Sequence, residues 1–443
     1  VAIGQVGWGS SRSYTLRLEA LLSEPLPQVK FPASVFKLTN GLNVIHQYLS
    51  ATPVVVADVW VGAGAIAEPD EWYGMAHFLE HMIFKGTETI PPGVFDYVIE
   101  SHGGVTNAAT SHDFAHFFVT SASEYLKYTL PPLAELLLHP AIPEEEFVRE
   151  RCVVLEEIRG SYDNPDWVGF QALSESVYQR HPYGRPILGT EADLMAHSPQ
   201  QMRCFHQCHY QPENMTVVIV GDIDQESALT IVNQSFQDFA SPSDCPKPEV
   251  MAEAPFIGIR RQELNLPRLE HARLLMAWHG PGIDQLGDAC GLDLLSVLLA
   301  DGRSSRLVRE LREEKQLVQD IGSSFSLQRD SSLFTITAYL EPEYLEQVEA
   351  IIREHLWQLQ QTPVSSTELK RCQRQLYNDY IFSTESAGQL AGLYGYYSTI
   401  ATAQAAYSYP IEIQKLTAND VIQLAQRYLS PHRYAITILN SID

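Results

Sequence analysis

The run Met75-Ala76-His77-Phe78-Leu79-Glu80-His81-Met82-Ile83-Phe84 places three ionisable side chains inside an otherwise apolar stretch. Apolar residues recur on nearly every side, so a helix here has to be buried. Buried polar groups need partners, and that demand restricts what can be built around the segment. His77 and His81 are four residues apart, so on a helix they project from one face and both imidazoles can reach a single ion. Two nitrogen ligands of this kind suit zinc. Glu80 sits beside His81 on the same turn. It can face the ion without binding it and take a proton from water held there. The order is HxxEH, the reverse of the HExxH metal motif.

A zinc ion that does chemistry needs a third protein ligand and an open position. The stretch from Glu144 to Arg159 reads as a helix, entered by Pro143 and opened by Glu144, Glu145 and Glu146, which suits the positive end of a helix dipole. Those three acids are read as a solvent face. Glu150 and Glu157 are seven residues apart, two turns, and so share a face. Glu157 is the expected third ligand, with Glu150 behind it to orient a histidine. Glu156 is the fallback.

These motifs together resemble the pitrilysin/insulinase-like zinc metallopeptidases, the inverzincins, and within them the short two-domain members similar to mitochondrial processing peptidase. His77, Glu80 and His81 match the family's HxxEH, and Glu150 and Glu157 match its downstream glutamate pair. Gly103 through Ser111 resembles its substrate-pairing strand. His181-Pro182-Tyr183-Gly184-Arg185-Pro186, Asn214 with Gly221-Asp222-Ile223, and Gly302 through Leu307 with Leu311 through Glu314 resemble later landmarks. The likeness runs from about residue 35 to the C-terminus.

The resemblance implies a zinc endopeptidase acting on unfolded peptides, in which Glu80 moves the proton. A peptide would lie extended against a strand edge near Asn107 and Ala108; the other reading of Asn107 is a turn residue after Gly103-Gly104. The oxyanion needs donors. The family supplies an arginine and, seven residues on, a tyrosine; Arg312 matches the first, but Gln319 stands at the second position. Three readings follow: Gln319 substitutes, the enzyme is slow alone, or a partner subunit brings an intact pair. The resemblance therefore also implies a dimer, either a homodimer or a heterodimer with a zinc-less homologue. The competing class is a structural subunit with vestigial peptidase function. A nucleotide enzyme is excluded by the lack of a P-loop or of a GxGxxG after a strand.

At 443 residues the chain can hold two domains. A net charge of −24 makes nucleic acid a poor partner and can steer basic peptides toward the protein. No run of 18 apolar residues occurs, so no membrane span is expected. Val1 to Gly9 lacks the pattern of a secretory signal, and Leu16, Leu18, Leu21 and Leu22 with Arg12 and Arg17 have the makings of a short amphipathic helix. Six cysteines are too few for a disulfide scaffold, so a reducing, cytoplasmic setting is expected. Cys204 and Cys208 share a helical face with metal-ligand spacing. That run leads into Tyr210 through Asn214 and a strand, where the resembled family has an ordinary helix end, and it is read as one.

Strands are predicted at 42–46, 54–61, 115–119 and 216–220, and again at 274–278, 334–338 and 435–439, with helices from 144 and at 288–299. Three prolines within Ser241–Pro248 mark a linker. After it the element order restarts, and Leu294, Leu295, Val297 and Leu298 occupy the helix equivalent to 75–83. The expected organisation is a leader at 1–34, a zinc-bearing domain at 35–240, a linker at 241–255 and a metal-free homologous domain at 256–443. The fold class is α+β, each domain a mostly antiparallel sheet with helices packed on one side.

Overall fold

The computed structural model describes residues 31–267 and 269–442. The expected leader and its amphipathic helix therefore lie, up to residue 30, outside the described residues. Strands β1 (Ser34–Lys37), β2 (Asn43–Tyr48), β3 (Val54–Val61), β4 (Val105–Thr110), β5 (Ala115–Ala122) and β6 (Met215–Gly221) form one sheet in the order β1-β2-β6-β3-β5-β4. Strands β7 (Ile259–Leu266), β8 (Ala272–Gly280), β9 (Asp320–Ser326), β10 (Ser332–Leu340) and β11 (Tyr434–Ser441) form a second, in the order β7-β11-β8-β10-β9. Take away β1 and the two orders are the same. The orientations agree as well: β2 runs parallel to β6 and β7 to β11, and the remaining pairs are antiparallel. The restart of element order read from the sequence is thus a repeat of topology, strand for strand.

The first half carries α1 (Met75–Ile83), α2 (Val94–Ser101), α3 (Leu126–Leu138), α4 (Glu144–Tyr162), α5 (Pro165–Val177), α6 (Glu191–Ala196), α7 (Pro199–His209) and α8 (Gln225–Ser235). The second carries α9 (Leu286–Ala300), α10 (Leu345–Gln361), α11 (Ser366–Phe382), α12 (Ala387–Ile400), α13 (Ala405–Lys415) and α14 (Ala418–Tyr428). No helix lies between Ser235 and Ile259, which covers the predicted linker. No helix among the described residues is long and apolar enough to cross a membrane.

Each sheet packs one face against helices of its own half, as expected for an α+β layer. Its other face is also covered, by one helix borrowed from the opposite half. Helix α12 lies on β3 and β6, and α5 lies on β8 and β11. Leu390, Ala391 and Tyr394 of α12 join Val56, Trp60, Val218 and Val220 in one cluster, while Leu173 and Val177 of α5 join Leu275, Ala435 and Leu439 in another. Covering both faces explains why β3 and β6 are buried along nearly their whole length and, apart from Asp58 and Thr216, read as apolar runs rather than as alternation. Both borrowed helices approach closely at a glycine. A Cβ on Gly395 would lie 2.0 Å from Trp60 Nε1, and one on Gly169 would lie 2.9 Å from Leu439 Cδ1. Polar bonds add to the joint: Tyr183 donates to Asp113 Oδ1 at 2.7 Å, and the Asp330 and Arg329 amides donate to Tyr183 Oη and Asp113 Oδ2.

Helix α1 is aimed by a residue that its own pattern does not reveal. Glu68 is buried and accepts from the amides of Gly74 and Ala76, at 3.0 and 2.7 Å. It thus satisfies donors at the start of α1 that have no partner inside the helix. Burial pushes its carboxyl up to about 8, against the pull of those two amides.

Two stability outcomes follow. Gly395→Ala should lower the urea midpoint, because overpacking against the rigid indole costs about 1–3 kcal/mol and exceeds the ~1 kcal/mol of helix propensity gained. A midpoint at or above wild type would show that the approach of α12 to β3 is not tight. Glu68→Ala should cost about 1–3 kcal/mol by leaving buried amides unpaired, and Glu68→Gln less. Equal loss in both variants, or none in Glu68→Ala, would remove Glu68 from this role.

Candidate metal centre

Helix α1 is buried through Met75, Ala76, His77, Phe78, Leu79, Met82 and Ile83, leaving Glu80 and His81 half-buried on the side that faces β4 and α4. Helix α4 packs on α1 through Phe147, whose ring lies 4.6 Å from that of Phe78. The same face of α4 buries Glu150, Val154 and Ile158. Glu150 and Glu157 are thereby carried past the two imidazoles, one at each end.

Glu157 Oε1 lies 3.7 Å from His77 Nε2, and Oε2 lies 3.5 Å from His81 Nε2. The three side chains offer ligand atoms that all fall within 4.8 Å of one another. Separations of 3.5 and 3.7 Å are long for hydrogen bonds. They are close to the spacing of neighbouring ligands around a tetrahedral ion, since bonds of ~2.0–2.1 Å put such atoms about 3.3 Å apart. His77 Nδ1 is buried without a hydrogen-bond partner. Two imidazole nitrogens and one carboxylate oxygen are a donor set that fits zinc. Glu157 itself is exposed, so the cluster opens to solvent on that side.

Glu150 lies behind the cluster. Its Oε1 lies 2.9 Å from His81 Nδ1, and Lys85 Nζ donates to its Oε2 at 2.6 Å. This fixes the ring so that Nε2 points at Glu157. Glu156, the fallback ligand, is turned outward and pairs with Arg159 at 2.5 Å. The electrostatics follow the geometry. Burial, then the charge of His81, lowers His77 to about 4. Burial alone would lower His81 too, but Glu150 and Glu157 outweigh it and lift the imidazole to about 9. The close approach of His81 holds the Glu157 carboxyl below the usual carboxylate range. Burial opposes ionisation of Glu150, and His81 and Lys85 overcome it.

Glu80 stands apart from the three. The Thr110 hydroxyl donates to its Oε2 at 2.5 Å. Burial raises its carboxyl, partly offset by that bond. Thr110 is the last residue of β4, and β4 is the outer strand of its sheet. Asn107 and Ala108 lie in the middle of β4, not in a turn, and Asn107 Oδ1 accepts from the Ala108 amide at 2.9 Å. The strand expected from the resemblance is therefore an open edge tied to Glu80.

Arg312 and Gln319 are not brought to this cluster. Arg312 lies in a π-helical turn at Val308–Glu314 and is paired with Glu313 and with Asp320, the latter at 3.0 Å. Gln319 is exposed and donates its backbone amide to Tyr339 O at 2.7 Å. Among the described residues, no hydrogen bond or ion pair links either one to His77, Glu80, His81 or Glu157. Thr110 and Glu68 are the parts of the arrangement that sequence reasoning missed. Neither carries a local pattern: Thr110 reaches Glu80 thirty residues away, and Glu68 reaches the start of α1 across an irregular stretch, with no fixed period to mark it.

Known proteins share this architecture. Residues 43–191 match the insulinase family, peptidase family M16, and residues 197–376 match its domain described as the peptidase M16 inactive domain. Zinc protease PqqE of Helicobacter pylori is 29% identical over 88% of this chain and 89% of its own. The zinc protease YmxG of Bacillus subtilis, described as uncharacterised, is 29% identical over 78% and 83%. The crystal structure of a protease from Helicobacter pylori superposes with a TM-score of 0.86 at 28% identity, covering 92% of this chain and 99% of that one. A putative M16-like peptidase from Alicyclobacillus acidocaldarius has the same fold, with a TM-score of 0.84 at 19% identity, covering 94% and 100%. With matches to both halves and across the joint between them, the chain belongs to the insulinase (M16) family of peptidases.

Proposed function

We propose that the chain is a zinc-dependent endopeptidase that hydrolyses unfolded peptides laid as an extended strand along β4. The observation that carries this reading is the convergence of His77, His81 and Glu157 from two helices, with Glu80 beside them and bonded to the edge strand. Relatives named as zinc proteases support it. His77, His81 and Glu157 would hold the ion, and Glu150 would keep the His81 ring in orientation. When bound, zinc supplies Lewis acidity, polarising a carbonyl and making water more acidic.

The remaining work belongs to the chain. The free edge of β4 pairs with a peptide backbone and presents one carbonyl at a time. Asn107 exchanges its bond with the Ala108 amide for contacts with that backbone. Because Thr110 ends the same strand, a peptide on this edge passes next to Glu80. Glu80 takes a proton from the attacking water and returns it to the departing amine. The excess of acidic residues, giving a net charge of −24, favours basic peptides.

A second reading rests on Gln319 and on the engagement of Arg312 with Glu313 and Asp320. In it the chain is weakly active or structural alone, and a zinc-less partner subunit supplies the arginine–tyrosine pair that stabilises the oxyanion. Dimerisation belongs to both readings, as does a site of action in the cytoplasm.

Glu80→Gln keeps the shape of the side chain and removes the base. It should cut cleavage of a quenched basic peptide by about 10²–10⁴-fold while the bound zinc per chain stays constant. Wild-type turnover in this variant would end the assignment of Glu80. The two readings separate in a subunit assay: if the site is split, the purified chain should be slow alone and accelerate on adding a zinc-less homologue. Full turnover from the isolated chain would exclude the split.

A further inference from the structure

The six-residue run Cys204-Phe205-His206-Gln207-Cys208-His209, read from the sequence as an ordinary helix end, acquires a partner in the fold. Cys245 arrives from the connector between the two halves and is only 5% exposed. Its sulfur, the Cys208 sulfur and a His209 ring nitrogen all lie within 4.8 Å of one another. Cys204, one turn before Cys208, lies against the same connector, its sulfur 3.3 Å from Ser243 Oγ and 3.8 Å from the Asp244 carbonyl. Two thiols and an imidazole from two separate segments thus meet at one point, and the Cys204 thiol lies at the margin of that cluster, against the two residues that precede Cys245. All four cysteine and histidine residues are at least half-buried, whereas Cys152, which has no such company, is exposed.

We propose that Cys204, Cys208, His209 and Cys245 form a second, thiolate-rich metal site of the zinc class, separate from the His77–His81–Glu157 centre, which pins the interdomain connector to the end of α7. The chemistry follows from the donors. Thiolate sulfur and imidazole nitrogen together select zinc among the common divalent ions, and a closed four-ligand set is the form of a structural site. A disulfide would use two of the sulfurs and leave the third, with the imidazole, unaccounted for. The connector needs such a fastening. It contains no helix or strand between Ser235 and Ile259, so few backbone hydrogen bonds hold it in place. A metal ligated across 37 residues closes a long loop and contributes its binding energy to folding. Helix α7 also packs against α1, so the site would stiffen the support behind the two histidines without touching peptide.

The test uses the reduced, zinc-saturated full chain. A thiol-binding mercurial should release one zinc equivalent to a chelating dye and leave the metal at the histidine centre in place. In the double variant His77→Ala/His81→Ala, one zinc should remain and be released in full by the mercurial. Cobalt loaded into that variant should show a thiolate-to-cobalt charge-transfer band in the near ultraviolet, absent after Cys208→Ser and Cys245→Ser. The wild-type release does not depend on any variant folding. No zinc released by the mercurial, a cobalt spectrum without the band, or a disulfide joining Cys245 to Cys204 or Cys208 in the native chain would each overturn the proposal. Failure at the histidine centre would leave the mercurial-released equivalent intact, so the two sites are judged separately.

Discussion

Two imidazoles held under a carboxylate are the constraint around which the first half is arranged. His77 is buried on a helix that is apolar nearly all round, so α1 can sit in the core only if something answers its polar side. Helix α4 does so twice, with Glu157 toward both Nε2 atoms and with Glu150 on the far side of His81. The two helices are in turn held together by apolar packing, Phe78 on Phe147. Hydrophobic contact thus sets the spacing, and the polar groups use it. Removing one carboxylate would leave a buried ring unpaired, which is costly; Glu150 and Lys85, which hold the His81 ring from behind, therefore belong to the cluster as much as His77, His81 and Glu157 do.

The duplication explains what the second half contributes. Helix α9 packs against β9 and β10 as α1 packs against β4 and β5, but Leu294, Leu295, Val297 and Leu298 fill it with apolar bulk. The same position in the topology carries the two histidines in one half and plain core in the other. What the second half adds is a cover. By lending α12 to the first sheet and receiving α5 on its own, it buries faces that either half alone would expose. Contiguous exposed apolar faces are a liability, and the exchange of α5 and α12 removes them from solvent. The glycines at the two crossings let the helices come close enough for Trp60 and Leu439 to fill the gap.

The edge of the first sheet is where structure and chemistry meet. Strand β4 is short, its outer side is unpaired among the described residues, and its last side chain, Thr110, is bonded to Glu80. An open edge is normally a hazard that proteins blunt. Here it lies beside the Glu80 carboxyl and a cluster of metal-fitting donors, the arrangement on which the proposed reading of peptide backbone rests.

The sequence alone determined the features that depend on local period or short spacing. The strands 54–61, 115–119, 216–220, 274–278, 334–338 and 435–439 all fall within observed strands, and the helix opened by Glu144 runs to Tyr162. HxxEH and the Glu150–Glu157 interval placed the four central side chains because a helix converts spacing into direction. Strands β1, β7 and β9 escaped notice, since β7, Ile-Arg-Arg-Gln-Glu-Leu-Asn-Leu, is polar and half-exposed at its sheet edge. Only the tertiary structure decided that α5 and α12 change places, that Glu68 holds α1, that Thr110 reaches Glu80, that Cys245 meets Cys208, and that Arg312 is bound up with Asp320. Each of these joins residues remote along the chain or turns on which face a side chain presents. Such meetings arise from how whole layers pack, and no local periodicity carries them.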